Sequence, residues 1–341
     1  MQPKVMSHPP TPNFHASHWK NRTASQTIWH ALETEFGRGD SFLETIKVWR
    51  TNPDSPRTLF FTAFASETPT ELPTELAQAC FGLLPGVHRI LFEEGQIQLT
   101  LCIGTAPLIA KEIDFAADSL CIGKLETWGV KTLALLCQLG SRIKWHVAQE
   151  STVQEMVLAG FCLGSSASTA TYSPPWKIKT SMRQRTTVAL SSKPHNRVDA
   201  IVIGAGLAGS SVAHSLAKRG WQVEVLDKGL TLGAGASGLP AGLFATHVSP
   251  DNNVLSRITR DGVRATVQRA QDLLEHGRDW QLSQLLEHRY AGKRQLPKGS
   301  LWPSAGHEWT TEAIEKQKIN AGLHESSPAL WHGIAGWIQT Q

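Results

Sequence analysis

The chain of 341 residues lacks a long apolar run. No stretch reaches 18 apolar residues, which excludes a membrane-spanning helix on length alone. The opening, MQPKVMSHPPTPNFHASHWK, has no apolar segment of the kind a secretory signal needs. Cysteine is sparse. The five, Cys80, Cys102, Cys121, Cys137 and Cys162, are odd in number, dispersed and without a CxxC pair. That argues against a disulfide framework and a thiolate zinc knuckle, predicts buried apolar thiols, and places the chain in a reducing, cytoplasmic setting. There are 14 histidines, but no HxH or HxxxH pair stands beside an acid at ligand spacing, so no metal is assigned. Internal repeats are absent. From Met156 to Arg197 there is no acidic residue at all.

What is present is ordinary for a globular chain: 41% hydrophobic and 18% charged residues, with a formal net charge of +4. The length predicts two domains, and the mild positive charge permits a polyanionic partner without requiring one. Residues 1–28 form a polar segment rich in Pro and His, expected to be poorly ordered at its start. Residues 29–165 alternate between strand-like and helix-like text. TLFFTAFA and HRILFEEGQIQLTLCIG read as strands, the second with a turn at Glu94-Gly95. KTLALLCQLG and TVQEMVLAGF read as helices from their i, i+3, i+4 apolar spacing. Residues 166–197 read as a basic linker carrying Lys177, Lys179, Arg183, Arg185, Lys193 and Arg197. These cations could grip nucleic-acid phosphates, with Trp176 stacking on a base, or could simply solvate a connector.

Residues 198–341 open on VDAIVIGAGLAGSSVAHSLAKRGWQVEVLDKG. A buried strand, Ala200 to Ile203, leads into Gly204-Ala205-Gly206-Leu207-Ala208-Gly209 and then a helix to Arg219. Gly204 suits the tight turn out of the strand, Gly206 lets backbone approach a pyrophosphate, and Gly209 lets the helix pack on the sheet. The pyrophosphate is expected on the helix N-terminus, where free N–H groups and the helix dipole favour negative charge. The next strand ends in Asp227, twenty-three residues beyond Gly204, where the ribose-binding acid of such units stands. An acid there favours FAD or NAD over NADP; the alternative is a glycine turn that only packs an α/β unit. LGAGASGLPAGLF follows directly, a second glycine-rich segment suited to a large flat cofactor or to an ordinary surface loop. Ser237 sits in GASG, which is not the GxSxG elbow of a serine nucleophile, and reads as a loop residue.

GAGLAG, then LDKG, then GASG-x-x-AG resemble the D-amino-acid-oxidase-like flavoproteins. In particular they resemble the FAD module of the bacterial bifunctional family of tRNA 5-methylaminomethyl-2-thiouridine biosynthesis, in which a methyltransferase module comes first. LETEFGRGDSFL (residues 32–43) is similar to that family's S-adenosylmethionine loop, LETGFGxGLNFL, and LPGVHRILFEEGQIQLTLCIG to a strand pair further on. The resemblance implies an α/β fold, a Rossmann-like methyltransferase domain followed by a partial FAD-binding Rossmann (βαβ) domain. It implies FAD as cofactor and tRNA as partner, with the basic linker at 177–197 contributing. The implied reaction is FAD-dependent conversion of 5-carboxymethylaminomethyl-2-thiouridine to its 5-aminomethyl form. The cofactor-binding set implied is Gly204, Ala205, Gly206, Leu207, Ala208, Gly209, Asp227 and Lys228, with Gly235, Ser237 and Gly238 near the isoalloxazine; no catalytic residue is assigned.

The departures matter. Glu35 stands at the family's first loop glycine, and Asp40-Ser41 replace Leu-Asn. Added carboxylates repel a ligand that carries one itself. Glu67 falls two places late for the family's second-strand acid, and the Asp-Gly-Phe-x-Pro catalytic segment expected near residues 118–128 is absent. The methyltransferase half is therefore expected to fold, to leave S-adenosylmethionine unbound and to be inactive. The flavin module is expected to be incomplete, with LWHGIAGWI matching a glycine-tryptophan stretch on the family's substrate side. The alternatives are another FAD- or NAD-dependent amine oxidoreductase, or a non-catalytic remnant that binds tRNA.

Overall fold

The structure, a computed structural model, describes residues 13–21, 27–113, 116–124, 127–166, 168–176, 199–288, 307–309, 318–323 and 329–339. The cations of the basic linker, from Lys177 to Arg197, lie outside the described residues. The chain divides into two units: residues 1–73 with 96–194, and residues 74–95 with 195–341.

In chain order the first half contains β1 (Ile28–Glu33), α1 (Asp40–Thr51), β2 (Thr58–Ala65), α2 (Thr74–Ala79), β3 (Gly86–Phe92), β4 (Ile97–Ile103) and α3 (Ala106–Glu112). Then come β5 (Ala117–Lys124), α4 (Val130–Leu135), β6 (Cys137–Val147), α5 (Glu150–Leu158), β7 (Phe161–Leu163) and β8 (Thr169–Tyr172). The strands of the first unit lie in the order β4-β2-β1-β5-β6-β8-β7. From β4 to β6 neighbours run parallel, while β8 is antiparallel to both β6 and β7. The parallel strands are near-continuous apolar runs because helices cover both faces of such a sheet; β2, TLFFTAFA, is buried at six of its eight positions. The chain runs from β1 outward to β2 and β4, then returns to place β5 on the other side of β1. The C-terminal ends of β1 and β5 therefore flank a switch point, where open α/β sheets form their ligand crevice.

Several expectations change here. Residues 13–21 are folded, with a 3-10 helix at Ala16–Asn21 and with His15 and Trp19 buried. Asn13 Nδ2 donates to Thr45 Oγ1 (2.9 Å) and its Oδ1 accepts from the Ala16 amide (3.1 Å), which anchors a segment that reads as a polar tail. KTLALLCQLG is helical only to Leu135; at Cys137 the chain enters β6 and pairs with Ala117 of β5. The first unit's sheet runs on to Tyr172, past the boundary expected at 165. Cys80, Cys102 and Cys137 are buried, but Cys121 is half-buried and Cys162 exposed. The turn at Glu94-Gly95 forms as expected, with Glu93, Glu94 and Gly95 all in the left-handed region.

In the second unit, β9 (Ala200–Ile203), α6 (Leu207–Lys218) and β10 (Val223–Leu226) make a parallel βαβ unit with register Ala200↔Val223 to Ile203↔Leu226. β9, expected as a buried strand, is not buried: Ile201 and Ile203 are exposed among the described residues, because no further layer of them covers this two-stranded sheet. The remaining strands are β11 (Ala241–Phe244), β12 (Trp280–Leu282), β13 (Leu285–His288), β14 (His307–Trp309), β15 (Ala329–His332) and β16 (Gly336–Gln339). They form two antiparallel sheets, ordered β11-β16-β12 and β13-β15-β14. Between β11 and β12 runs α7 (Val254–Leu273), whose Asn253 cap accepts from the Ser256 amide (3.0 Å). Its inner face, Val263, Val267 and Ala270, packs with Trp280. Arg264, 1% exposed, donates through Nε to the Phe81 carbonyl (3.0 Å) and through an Nη to Asp261 (2.9 Å), and His88 Nδ1 meets the same Asp261 oxygen at 2.9 Å. No helix among the described residues is long and apolar enough to cross a membrane.

Candidate functional site

At the end of β9 the chain turns through Gly204 at φ +103°, a conformation L side chains rarely adopt. α6 then starts at Leu207, with Gly206 as its cap residue and no side chain capping from that position. At Gly209 an added Cβ would lie 1.8 Å from the Gly204 carbonyl oxygen. Only glycine allows the helix to sit this close to the turn that precedes it. The first-turn amides of α6 have no intrahelical acceptor, and the Leu207 amide donates to Ser237 Oγ at 3.1 Å.

Asp227 follows the last residue of β10. Its Oδ2 accepts from the Ala205 amide (2.6 Å) and its Oδ1 from the Gly229 amide (2.6 Å). These two backbone bonds, with some help from the Lys228 charge, hold its carboxyl below the ordinary carboxylate range. The segment after it folds back onto the glycine turn, for the Gly233 amide donates to the Ala205 carbonyl (3.2 Å). Gly235 leads into the 3-10 turn Ala236–Gly238, whose Ser237 hydroxyl would be 2.9 Å from a Cβ on Gly206. The structure thus brings Ala205, Gly206, Leu207, Asp227 and Ser237 to one place. Ala208 and Gly209 lie on the first turn of α6, Lys228 beside the acid, and Gly235 and Gly238 at either end of the Ser237 turn. The two glycine-rich segments, some thirty residues apart in sequence, form a single cradle.

The first unit has its own crevice at the β1/β5 switch point. A cavity of about 680 Å³ is lined by Thr34, Glu35, Gly37, Glu67, Gly104 and Trp128, among others. Gly37 (φ +55°) and Gly39 (φ +82°) keep the loop of a ligand-binding turn. Glu35 is part of the wall of this crevice, and its carboxyl group lies against Gly123 of β5, where an added Cβ would sit 2.1 Å from the carboxyl carbon. Asp118 points elsewhere, accepting from the His30 amide (2.7 Å) and from Gln138 Nε2.

On the other side of Glu35 is a smaller cavity of about 310 Å³, lined by Glu33, Ser41, Glu44, Cys121, Lys144 and His146, among others. Spacing along the chain gives no sign of what stands at its edge. One ligating atom from each of His15, Glu33 and Cys121 lies within 4.8 Å of the other two. Glu33 and Cys121 are register partners on β1 and β5. His15 comes from the anchored N-terminal segment. Burial lowers the basicity of its ring, but the adjacent Cys121 and Glu33 outweigh that and raise its pKa to about 9. The only signal in sequence is that Glu33 ends one apolar strand and Cys121 stands near the end of another.

Residues 199–340 match the FAD dependent oxidoreductase family. The matched stretch takes in the glycine turn, α6, β10 and both antiparallel sheets of the second unit. Over 94% of its length the chain is 40% identical to the tRNA 5-methylaminomethyl-2-thiouridine biosynthesis bifunctional protein MnmC of Polaromonas naphthalenivorans, covering 55% of that protein. It is 39% identical to the protein of the same name from Polaromonas sp. (strain JS666 / ATCC BAA-500), over 93% of this chain and 54% of that one. A solved structure described as MNMC2 from Aquifex aeolicus matches 51% of this chain and 61% of that one at 19% identity, with a TM-score of 0.34. The chain is homologous to the bifunctional MnmC proteins along nearly all of its length, and spans about half of theirs.

Proposed function

We propose that the chain contributes the flavin-binding part of a tRNA wobble-uridine oxidoreductase, converting 5-carboxymethylaminomethyl-2-thiouridine to its 5-aminomethyl form. The observation that carries the reading is the cradle at the β9–α6 junction, which falls at the start of the FAD dependent oxidoreductase match.

The residues present fit FAD. The close packing at Gly209 brings the start of α6 against the turn, and the outward first-turn amides form a site for a diphosphate. Gly204 to Gly209 would hold the pyrophosphate and Asp227 the adenosine ribose, while the turn from Gly235 to Gly238, expected beside the ring, would lie at the pyrophosphate end, since its Ser237 meets the Leu207 amide. Asp227 keeps unused lone pairs after accepting from Ala205 and Gly229, because an ionised carboxylate offers about four. Ser237 Oγ holds the Leu207 amide, as a phosphate oxygen would. A bound diphosphate therefore displaces this hydroxyl. When bound, FAD supplies the hydride acceptor for amine oxidation.

The first unit is proposed to be a methyltransferase-like fold without methyl-transfer activity. Glu35 places a carboxylate in the wall of the crevice, and among the described residues the last four of β5, Cys121-Ile122-Gly123-Lys124, include no acid. A carboxylate there would position the amine and take its proton.

The test is the visible spectrum of the purified chain. Flavin absorption, released on denaturation as FAD, supports the proposal. A colourless protein that gains no flavin on incubation with FAD overturns it. A second reading, a non-catalytic remnant, is favoured by the exposure of Ile201, Ile203 and Leu226, which leaves the two-stranded sheet uncovered among the described residues. It would show as a colourless chain that still retards tRNA in a gel.

A further inference from the structure

We propose that His15, Glu33 and Cys121 form a mononuclear site for a divalent transition-metal ion of zinc-like preference. Three observations support it.

The first is the ligand set. Imidazole, carboxylate and thiolate are all zinc ligands, and the two negative ligands balance a divalent charge. The ligating atoms lie within 4.8 Å of one another. His15 Nε2 and Glu33 Oε1 are 3.6 Å apart. Two zinc ligands at about 2.0–2.1 Å on tetrahedral corners stand roughly 3.4 Å apart, so this edge needs almost no movement.

The second is an unsatisfied nitrogen. His15 is 1% exposed, and its Nε2 lacks a hydrogen-bond partner among the described residues. A buried polar atom left this way is costly, and it points at the carboxylate and the thiol. The other ring nitrogen is already fixed. Nδ1 lies 2.7 Å from Ser119 Oγ, which also accepts from Trp29 Nε1 (2.9 Å). With Nδ1–H donating to that hydroxyl, Nε2 is the nitrogen turned toward Glu33 and Cys121, and a metal would take the place of the proton it carries. Ser41 Oγ holds the Glu33 carboxylate in the same outer-layer manner.

The third is access. Cys121 is half-buried and lines the 310 Å³ cavity, which provides an entry path and room for a water as fourth ligand. Binding replaces two protons, one on the Cys121 thiol and one on His15 Nε2, both of which pass to solvent, and forms one bond each to nitrogen, oxygen and sulfur. Neither electrons nor a further reactant are needed.

The experiment is titration of the full chain with Co²⁺ as a spectroscopic zinc surrogate, followed by displacement with Zn²⁺. The expected result is one equivalent of cobalt per chain, with thiolate-to-cobalt charge-transfer absorption that Zn²⁺ abolishes. Cys121→Ser removes that absorption, while Cys162→Ser, at an exposed thiol elsewhere, keeps it. Glu33→Gln keeps it too, but weakens binding about ten-fold or more. His15→Ala is expected to weaken binding likewise; because His15 is buried, Glu33→Gln carries the affinity test if that variant does not fold. Absence of the charge-transfer band in the parent chain overturns the proposal. So does a band that survives Cys121→Ser, or an unchanged affinity in Glu33→Gln.

Discussion

A single methylene decides whether the glycine cradle exists. Gly209→Ala would force a Cβ to within 1.8 Å of the Gly204 carbonyl, so α6 must move away from the turn. Overpacking of this kind costs about 1–3 kcal/mol, which read as affinity is roughly five-fold to a hundred-fold. The expected outcome is loss of co-purifying flavin, with the circular dichroism of the first unit retained. Ser237→Ala should act in the opposite sense. It frees the Leu207 amide for a diphosphate, so FAD binding, followed by fluorescence quenching, tightens or stays level. A marked loss of affinity would show that the hydroxyl contacts the cofactor. Thiol labelling under native conditions checks a third point: Cys162 reacts, whereas Cys80 and Cys102, whose pKa values burial pushes up to about 12, do not.

At the scale of elements, α7 is held by charge as well as by its apolar stripe. Arg264 and His88 both meet Asp261, and together they hold its carboxyl below the ordinary range although burial works in the other direction. A depressed carboxyl pKa stabilises the fold at pH values above the unfolded value of about 3.9. That stability is lost only as pH falls through the lower, folded value. Asp261→Asn is therefore expected to speed hydrogen exchange in α7 at pH 7, consistent with losing about 1.5–3 kcal/mol, and to differ little from the parent chain under strongly acid conditions. Arg264→Ala should cost more, about 2–5 kcal/mol, because it empties the space of a fully buried side chain and leaves the Phe81 carbonyl and one side of Asp261 without their donor.

The elements also show where sequence suffices. The β9–α6–β10 unit is legible to within a residue because everything that defines it is local: an apolar strand, a glycine turn, an apolar helix face and the next strand. KTLALLCQLG is misread past Leu135 because its second half is fixed by pairing with Ala117, a contact no helical periodicity can reveal. The segment around His15 reads as a tail because its partners, Thr45 and Ser119, stand 32 and 104 positions from the residues they hold. The His15–Glu33–Cys121 cluster is hidden for the same reason: it is made by strand register, not by spacing.

For the molecule as a whole, the proposed division of labour between the units is testable by ligand. Isothermal calorimetry with S-adenosylmethionine is expected to show no binding, since the Glu35 carboxylate in the crevice wall of the first unit repels a ligand that carries a carboxylate itself. Tight binding followed by methyl transfer to tRNA would refute that. For tRNA, affinity measured against salt should report on the cations from Lys177 to Arg197. Replacing four of them with glutamine is expected to flatten the slope of log K against log salt by roughly 0.7–0.9 for each phosphate they cease to neutralise. An unchanged slope assigns that stretch to a connector.

Glu33 and Cys121 face one another only when β1 and β5 are aligned as they are in the finished sheet. A slip of one position turns one of the two side chains to the opposite face. The reactivity of that thiol is thus a clock for assembly. In a refolding experiment it falls to its final rate only when the central strands have locked, whatever the helices around them have already done.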